Sequence, residues 1–295
     1  MEAKFIVVNH SIAKHLTLFC FLVVYKTKSG KVIKQGEKWI QPITKDVDVV
    51  VMVSERAKIR SLRRTMALMI FNLNKRLEKR GFTTRYSLVG FGGDKVHEEP
   101  HVHTINGQVF STAGQLSSII KEMPYTGDER NTNDAFAAIS LASKLHFRPG
   151  ARKVFVVFNF DEGKPWFFGP TLDETVANLK MRANASLIVF DNFKFKPYGK
   201  SRVIGQTESR VYLSPDYQAV PMNDFEMPRS KFTKLVRVSD GGMFINKLKM
   251  SQSKIMVTAV TDALVQSLTA QTSNVQCCRL NRHYPVCKTS DRMTC

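Results

Sequence analysis

The chain has 295 residues, of which 43% are hydrophobic, and it carries a formal net charge of +19. This length allows one large domain or two small ones with a substantial core, and no stretch reaches the length of an apolar membrane span. A charge of this size and sign favours anionic partners such as sulfated glycans, acidic lipid headgroups or nucleic acid, without choosing between them.

The first 45 residues form a segment of their own. Leu16–Tyr25 has the apolar character of a signal peptide core, but two lysines follow and no small-residue cleavage site lies nearby. A hairpin is the favoured interpretation, with strands at Phe19–Lys26 and Lys31–Gln35 around a turn at Gly30. The segment is also consistent with the end of a preceding domain.

The apolar run Val47–Val53 organises the rest of the chain. It has the length and valine content of a strand that is buried on both faces. The basic loop Ser54–Lys58 follows it, and then come an amphipathic helix that ends at Gly81 and a second apolar strand at Tyr86–Phe91. This order is a βαβ unit, so we expect a ligand site in the loop at the carboxyl end of the first strand.

Helices and strands continue to alternate after this unit. The pattern predicts a doubly wound, mostly parallel α/β sheet flanked by helices over residues 46–270, followed by a cysteine-rich tail at 271–295. Thr112 and the capping box at Thr171 begin two of the helices, while residues 214–240 are expected to be mainly irregular. The remaining predictions are a hairpin over 102–110, a helix after Asn133, strands over 153–160, 186–190, 210–213 and 243–245, and a last helix over 253–268.

Four motifs occur along the chain in a fixed order: Asp48–Val53, Val89–Gly92, Arg130–Ala135 and Lys153–Asp161. Their order and spacing resemble those of a von Willebrand factor type A domain, and the resemblance covers about residues 46–270. The fold and the non-enzymatic binding role of such domains are what this resemblance implies.

Four further segments carry a closer resemblance: Gly90–Gly93, His101–Thr104, Phe147–Gly150 and Gly242–Phe244. They resemble the type A domain of arthropod apolipophorin- and vitellogenin-like large lipid transfer proteins. This resemblance implies secretion and a place in a lipoprotein assembly, with a protein or lipoprotein surface as partner.

Type A domains hold Mg²⁺ through an Asp-x-Ser-x-Ser loop, a Thr and an Asp. The matching loop here has Ser54, Arg56 and Lys58, and the remaining two positions match Thr132 and Asp161. Hard cations need several clustered oxygens, so two cationic side chains at these positions argue against a bound metal or other cofactor. An alternative hypothesis is that Arg56 and Lys58 replace the cation and meet a carboxylate or phosphate of the partner.

Three histidines lie close together in the sequence, at His97, His101 and His103, beside a short acidic run. His101 and His103 point to the same side of a strand, and imidazoles with carboxylates suit zinc. The alternative interpretation is a solvated strand edge without a metal.

The predicted first helix is rich in cations, among them Arg60, Arg63 and Arg64. They are either a solvated surface or a binding site for anionic glycan or lipid headgroups. No nucleic-acid-binding module is recognisable, so nucleic acid is the less favoured partner. The chain also lacks a phosphate-binding loop and a Gly-x-Ser-x-Gly nucleophile turn, which disfavours an enzyme.

The tail concentrates four of the five cysteines. Cys277, Cys278, Cys287 and Cys295 predict two disulfides of a secreted protein, with three connectivities open and zinc as the alternative. Asn9 and Asn184 begin glycosylation sequons, which matter only if the chain is exported.

Overall fold

The computed structural model of the chain describes residues 2–13, 16–26, 32–40, 45–128, 132–159, 169–222, 225–246, 253–270, 275–278 and 286–289. The backbone divides into two compact units, one of residues 1–44 with 268–295 and the other of residues 45–267. Within the described ranges, no helix combines the length and the apolar character that crossing a membrane requires.

Fourteen strands and six α-helices lie in the described residues. The strands are β1 (Glu2–Ala13), β2 (Leu16–Lys26), β3 (Val32–Ile40), β4 (Asp46–Ser54), β5 (Thr83–Phe91), β6 (His101–His103), β7 (Arg152–Phe158), β8 (Ala185–Asp191), β9 (Arg202–Thr207), β10 (Arg210–Ser214), β11 (Gln218–Pro221), β12 (Gly242–Ile245), β13 (Val275–Cys278) and β14 (Val286–Thr289). The helices are α1 (Arg63–Lys79), α2 (Ala113–Glu122), α3 (Ala135–Ala142), α4 (Leu172–Ala177), α5 (Thr233–Val238) and α6 (Ser253–Ala270).

The first unit contains a five-stranded sheet in the order β1-β2-β3-β13-β14. Each neighbouring pair of strands is antiparallel. In the β13–β14 ladder, Cys277 lies opposite Cys287.

The second unit is built on a nine-stranded sheet in the order β11-β10-β9-β12-β8-β7-β4-β5-β6. The pairs from β5 through β4, β7 and β8 to β12 are parallel. The six strands from β6 to β12 therefore follow the 3-2-1-4-5-6 order of a doubly wound sheet, with β6 antiparallel at the edge. The predicted fold class is confirmed.

Strand β4 is the centre of this sheet, and residues 47–54 are buried throughout. Burial on both faces is expected for a central parallel strand, and Val50 shares a core cluster with Ala138 and Ile139 of α3. Helix α1 covers one face with Met66, Ile70 and Leu77, and Gly81 ends this helical region with a φ of +82°. The predicted apolar stripe begins earlier, in a 3₁₀ turn over Ala57–Leu62 that precedes α1.

Residues 202–240 are more regular than the sequence predicted. The strand β9 was not predicted, and β11 and α5 lie within residues 214–240, which were expected to be mainly irregular. The hairpin expected over 102–110 is reduced to β6 and an isolated bridge between Ile105 and Gln108. These elements are only three to six residues long, so they carry little sequence pattern.

A buried carboxylate ties β4 to its neighbours. Asp48 has no exposed side-chain surface, and it accepts hydrogen bonds from Nε and Nη2 of Arg85 at 2.8 Å each. Arg148 donates to the same carboxylate from its backbone N at 2.7 Å and from Nε at 2.8 Å. Burial raises the pKa of Asp48, but the hydrogen bonds from the two arginines outweigh it and hold the pKa below the ordinary value. Arg148 of the Phe147–Gly150 motif thus has a structural role.

Candidate functional site

The carboxyl end of β4 is closed by a chain of hydrogen bonds between buried polar side chains. Ser54 Oγ donates to Asn133 Oδ1 at 2.9 Å, and Asn133 Nδ2 donates to Asn159 Oδ1 at 3.4 Å. Asn159 Nδ2 then donates to Asp191 Oδ2 at 2.7 Å. A hydroxyl, two amides and one carboxylate thus use polar atoms on one another at the end of the strand where the sequence predicted a ligand site.

The two cations expected at the adhesion site, Arg56 and Lys58, differ in their exposure to solvent. Arg56 is only 2% exposed, and its backbone forms a bridge with Gly127. Lys58 is exposed. Arg56 is therefore not displayed at the surface to meet a partner, whereas Lys58 is.

Thr132 is engaged by a neighbouring loop. Its backbone N and its Oγ1 donate to Oε1 of Glu98, at 2.7 and 3.1 Å. Asp134, rather than Thr132, caps α3, because its Oδ1 accepts from the backbone N of Phe136 and Ala137. Asp161, the last adhesion-site position, lies outside the described residues.

Four side chains converge close to this closed position, and we call them the Glu–His cluster: Glu55, His97, His101 and His103. Their potential ligand atoms all lie within 4.8 Å of one another. Glu55 Oε1 lies 2.6 Å from His103 Nε2 and 3.3 Å from His101 Nε2, while Glu55 Oε2 lies 3.0 Å from His97 Nδ1. The structure thus brings together the three histidines and adds a carboxylate from the end of β4.

Two glycines leave room for the Glu–His cluster. A Cβ at Gly90 would lie 2.1 Å from Glu55 Oε1, and a Cβ at Gly93 would lie 2.6 Å from His97 Cβ. Because such separations are far below van der Waals contact, no other residue fits at either position without moving the cluster.

The Glu55 carboxylate has no exposed surface, whereas the histidine side chains are 16–32% exposed. Burial raises the pKa of Glu55, but the hydrogen bonds and positive charge of His101 and His103 outweigh it and lower the pKa below the ordinary value. Burial lowers the pKa of His101, but its bonds to Glu55 and to the backbone of Glu99 outweigh it and raise the pKa. Glu55 is therefore a carboxylate at neutral pH.

Glu55 was not predicted as a site residue, because it lies one residue out of register with the loop positions that bind a hard cation in type A domains. The acidic residues next to the histidines were expected to supply the carboxylate of the site. Instead, the Glu98 carboxylate accepts from Thr132, and Glu99 contacts His101 only through its backbone carbonyl. A usable signal was present, since β4 and β5 belong to one βαβ unit and their carboxyl ends must be adjacent.

A row of cations begins beside this edge of the sheet. We call it the basic face: Lys58, Arg60, Arg64, Lys75 and Lys79, all of them exposed. Arg63 is half-buried, and Arg80 is held by an ion pair with Asp262 at 2.9 Å. The loop Phe193–Arg202 is a second basic surface, and it lines a cavity of about 450 Å³.

The sequence matches no known protein family and no curated protein. Among solved structures, it is similar to proximal thread matrix protein 1 from the mussel byssus, with a TM-score of 0.45 and 9% identity over 76% of this chain and 47% of that one. A structure of that protein with a zinc-occupied MIDAS motif gives a TM-score of 0.35 and 9% identity over 51% and 37%. The pilus adhesin SpaC from Lactobacillus rhamnosus GG gives 0.36 and 11% over 64% and 28%. The chain spans about half the length of the mussel protein or less.

Proposed function

We propose that the chain is a non-enzymatic interaction module that binds an anionic partner through the basic face, without a hard divalent cation at the carboxyl end of β4. The observation that carries this proposal is the exposure of Lys58, Arg60, Arg64, Lys75 and Lys79 along the helical segment formed by the 3₁₀ turn and α1. The opposite side of that element holds the buried apolar stripe of α1.

Few acidic residues in the same helical segment balance the positive charge of the basic face. Residues 57–79 contain seven Lys and Arg residues and a single acidic residue, Glu78. Within the described part of the chain, Arg60, Arg64 and Lys79 form no ion pair with an acidic side chain. Because packing requires only the apolar stripe, Arg60, Arg64 and Lys79 are available to a polyanion.

The partner class follows from this arrangement. A row of separate charges on a helix suits a repeating anion, such as a sulfated glycan or a layer of acidic lipid headgroups, or an acidic protein surface. The attraction weakens with salt, because the Debye length falls from about 10 Å at 0.1 M to about 3 Å at 1 M.

The closed position after β4 supports the cation-independent part of the proposal. Mg²⁺ and Ca²⁺ need six or more oxygen ligands, including carboxylates. Here Ser54 and Asn133 use their polar atoms on each other, and Arg56 is buried beside them.

Export from the cell, in a lipoprotein-like assembly, belongs to the same proposal. It is supported by the four tail cysteines and by Asn184, which is exposed between the helical turn at 178–183 and β8. Free tail thiols would instead favour the second candidate, an electrostatic binder of anionic polymers inside the cell.

The test compares two triple variants that replace cations by Glu on different surfaces, so that the net charge of the chain changes by the same amount in both. One carries Arg60→Glu, Arg64→Glu and Lys79→Glu, and the control carries Lys194→Glu, Lys196→Glu and Lys200→Glu, all at exposed positions. We expect the first to lose binding to immobilised heparin and to anionic vesicles at low salt, and the control to retain most of it. Equal losses, or a larger loss in the control, would contradict the assignment to the basic face.

A further inference from the structure

We propose that the Glu–His cluster is a binding site for one divalent transition metal ion, with Zn²⁺ the best suited, and that this site is separate from the basic face. The proposal is independent of the function proposed above. It is carried by the convergence of Glu55, His97, His101 and His103 on one point.

Hydrogen bonding alone does not account for the position of His101. Its Nδ1 lies 2.9 Å from the carbonyl oxygen of Glu99, so Nδ1 carries a proton and donates it. In the neutral ring, Nε2 then has a lone pair and no proton. This lone pair faces His97 Nδ1 at 2.9 Å, His103 Nε2 at 3.2 Å and Glu55 Oε1 at 3.3 Å.

One ring nitrogen offers a single proton or a single lone pair, and it cannot serve three neighbours at once. A cation at the centre of the cluster would satisfy all four groups together. The carbonyl of Glu99 would then act as the outer partner that fixes the tautomer and orientation of a ligating histidine.

The spacing of the ligand atoms fits a small tetrahedral ion. Zinc binds histidine nitrogen at about 2.0–2.1 Å, which places the corners of a tetrahedron roughly 3.3–3.4 Å apart. Five separations between ligand atoms run from 2.6 to 3.3 Å, counting both oxygens of Glu55, and the four groups offer ligand atoms that all lie within 4.8 Å of one another. Side-chain adjustments would bring one Glu55 oxygen and the three ring nitrogens to the corners of such a tetrahedron.

The chemistry of the donors selects the class of metal. Three imidazoles and one carboxylate suit zinc and its transition-metal neighbours, whereas Mg²⁺ and Ca²⁺ prefer sets made of oxygens. The buried Glu55 carboxylate offers a negative charge, and the partly exposed histidines offer a path from solvent. Two hydrogen bonds hold the backbone of Glu55 in place. Glu55 N donates to Phe91 O at 2.7 Å, and Gly127 N donates to Glu55 O at 3.2 Å.

The test measures Zn²⁺ affinity by competition with a chromophoric chelator at neutral pH. The chains compared are the full-length protein, His97→Ala, His101→Ala, and the control His146→Ala, which changes an exposed histidine away from the cluster. All of them carry the tail cysteines, so zinc held by the tail is common to every sample. Circular dichroism confirms that each variant is folded, and His97, in an exposed loop turn, is the position least needed for folding.

We expect one zinc ion to be lost from both cluster variants and kept by the control. The affinity should fall by more than the roughly 10- to 100-fold that losing an outer-sphere partner produces. X-ray absorption of the bound zinc should show nitrogen and oxygen neighbours at about 2.0–2.1 Å, not only thiolates at about 2.3 Å. The proposal is overturned if the unmodified protein takes up no zinc at micromolar concentration, if His97→Ala and His101→Ala bind as tightly as the control, or if only thiolate ligands are seen.

Discussion

Oε1 of Glu55 lies 2.6 Å from Nε2 of His103, and this contact joins the end of the central strand β4 to the edge strand β6. Strand β5 lies between them, so the Glu55 side chain must cross it. The crossing passes over Gly90, where no side chain blocks the way. The contact thus adds a side-chain link from the centre of the sheet to a three-residue edge strand that also pairs with β5 through its backbone.

The crossing at Gly90 gives the first prediction. Gly90→Ala would place a Cβ 2.1 Å from Glu55 Oε1, so we expect a clear loss of stability and of zinc uptake. Gly114→Ala is the matched control, since its Cβ would meet nothing closer than 3.9 Å and alanine is favoured in a helix by about 1 kcal/mol. Urea denaturation of both variants measures the difference. A Gly90→Ala protein as stable as the control would contradict the crossing.

A second prediction concerns the closed position after β4. Ser54→Ala removes the donor to Asn133 Oδ1 and should lower the free energy of unfolding by about 1–3 kcal/mol. Millimolar Mg²⁺ or Ca²⁺ should leave the melting temperature of both the variant and the unmodified protein unchanged. A saturable heat in Mg²⁺ calorimetry would show that hard cations bind there after all.

Asp48 provides a third prediction. Asp48→Asn breaks the buried pairing with Arg85 and Arg148 and should destabilise the fold by about 3 kcal/mol at pH 7. Asp46→Asn is the control, because that carboxylate pairs with Arg148 but is 45% exposed, so the change should stay within about 1 kcal/mol.

The effect of Asp48 should also depend on pH. Its pKa is lower in the folded chain than in the unfolded chain, so the unfolded chain binds more protons between the two values. The stabilisation is therefore fully present above the ordinary pKa of about 4 and is lost as the pH falls through the folded value. The stability difference between Asp48→Asn and the unmodified protein should shrink from pH 7 to pH 3, and a constant difference would argue against the lowered pKa.

Much of the second unit is predictable from local sequence. The valine run of β4 predicts a strand buried on both faces, and the cap at Thr112 and the capping box at Thr171 begin α2 and α4 as expected. These signals succeed because each depends on residues that are close in the chain. The short strands β9 and β11 escape prediction because they are defined by their pairing with β10, which local sequence does not encode.

The sequence predicted the three histidines of the Glu–His cluster but not Glu55. The histidines are separated by at most six residues, whereas Glu55 precedes them by more than 40 and meets them through the pairing of β4, β5 and β6. The hypothesis that Arg56 meets a partner assumed that a cation in a loop is exposed, but Arg56 is buried.

The tail offers a fourth prediction, which tests export. Because Cys277 lies opposite Cys287 in the β13–β14 ladder, we expect these two to form one disulfide and Cys278 to pair with Cys295. Non-reducing peptide mapping of the protein secreted by a eukaryotic host measures the connectivity. Four alkylatable thiols in the native protein would contradict both the disulfides and the export.

The central claim, that the basic face binds an anionic partner, is tested most directly by lysine footprinting. The protein is acetylated briefly with and without a heparin oligosaccharide at low salt, and the modified lysines are quantified by mass spectrometry. We predict protection of Lys58, Lys75 and Lys79, which are exposed on the basic face, and unchanged labelling of Lys194, Lys196 and Lys200. Protection of the second set alone, or of neither set under conditions where the oligosaccharide is bound, would contradict the proposed function.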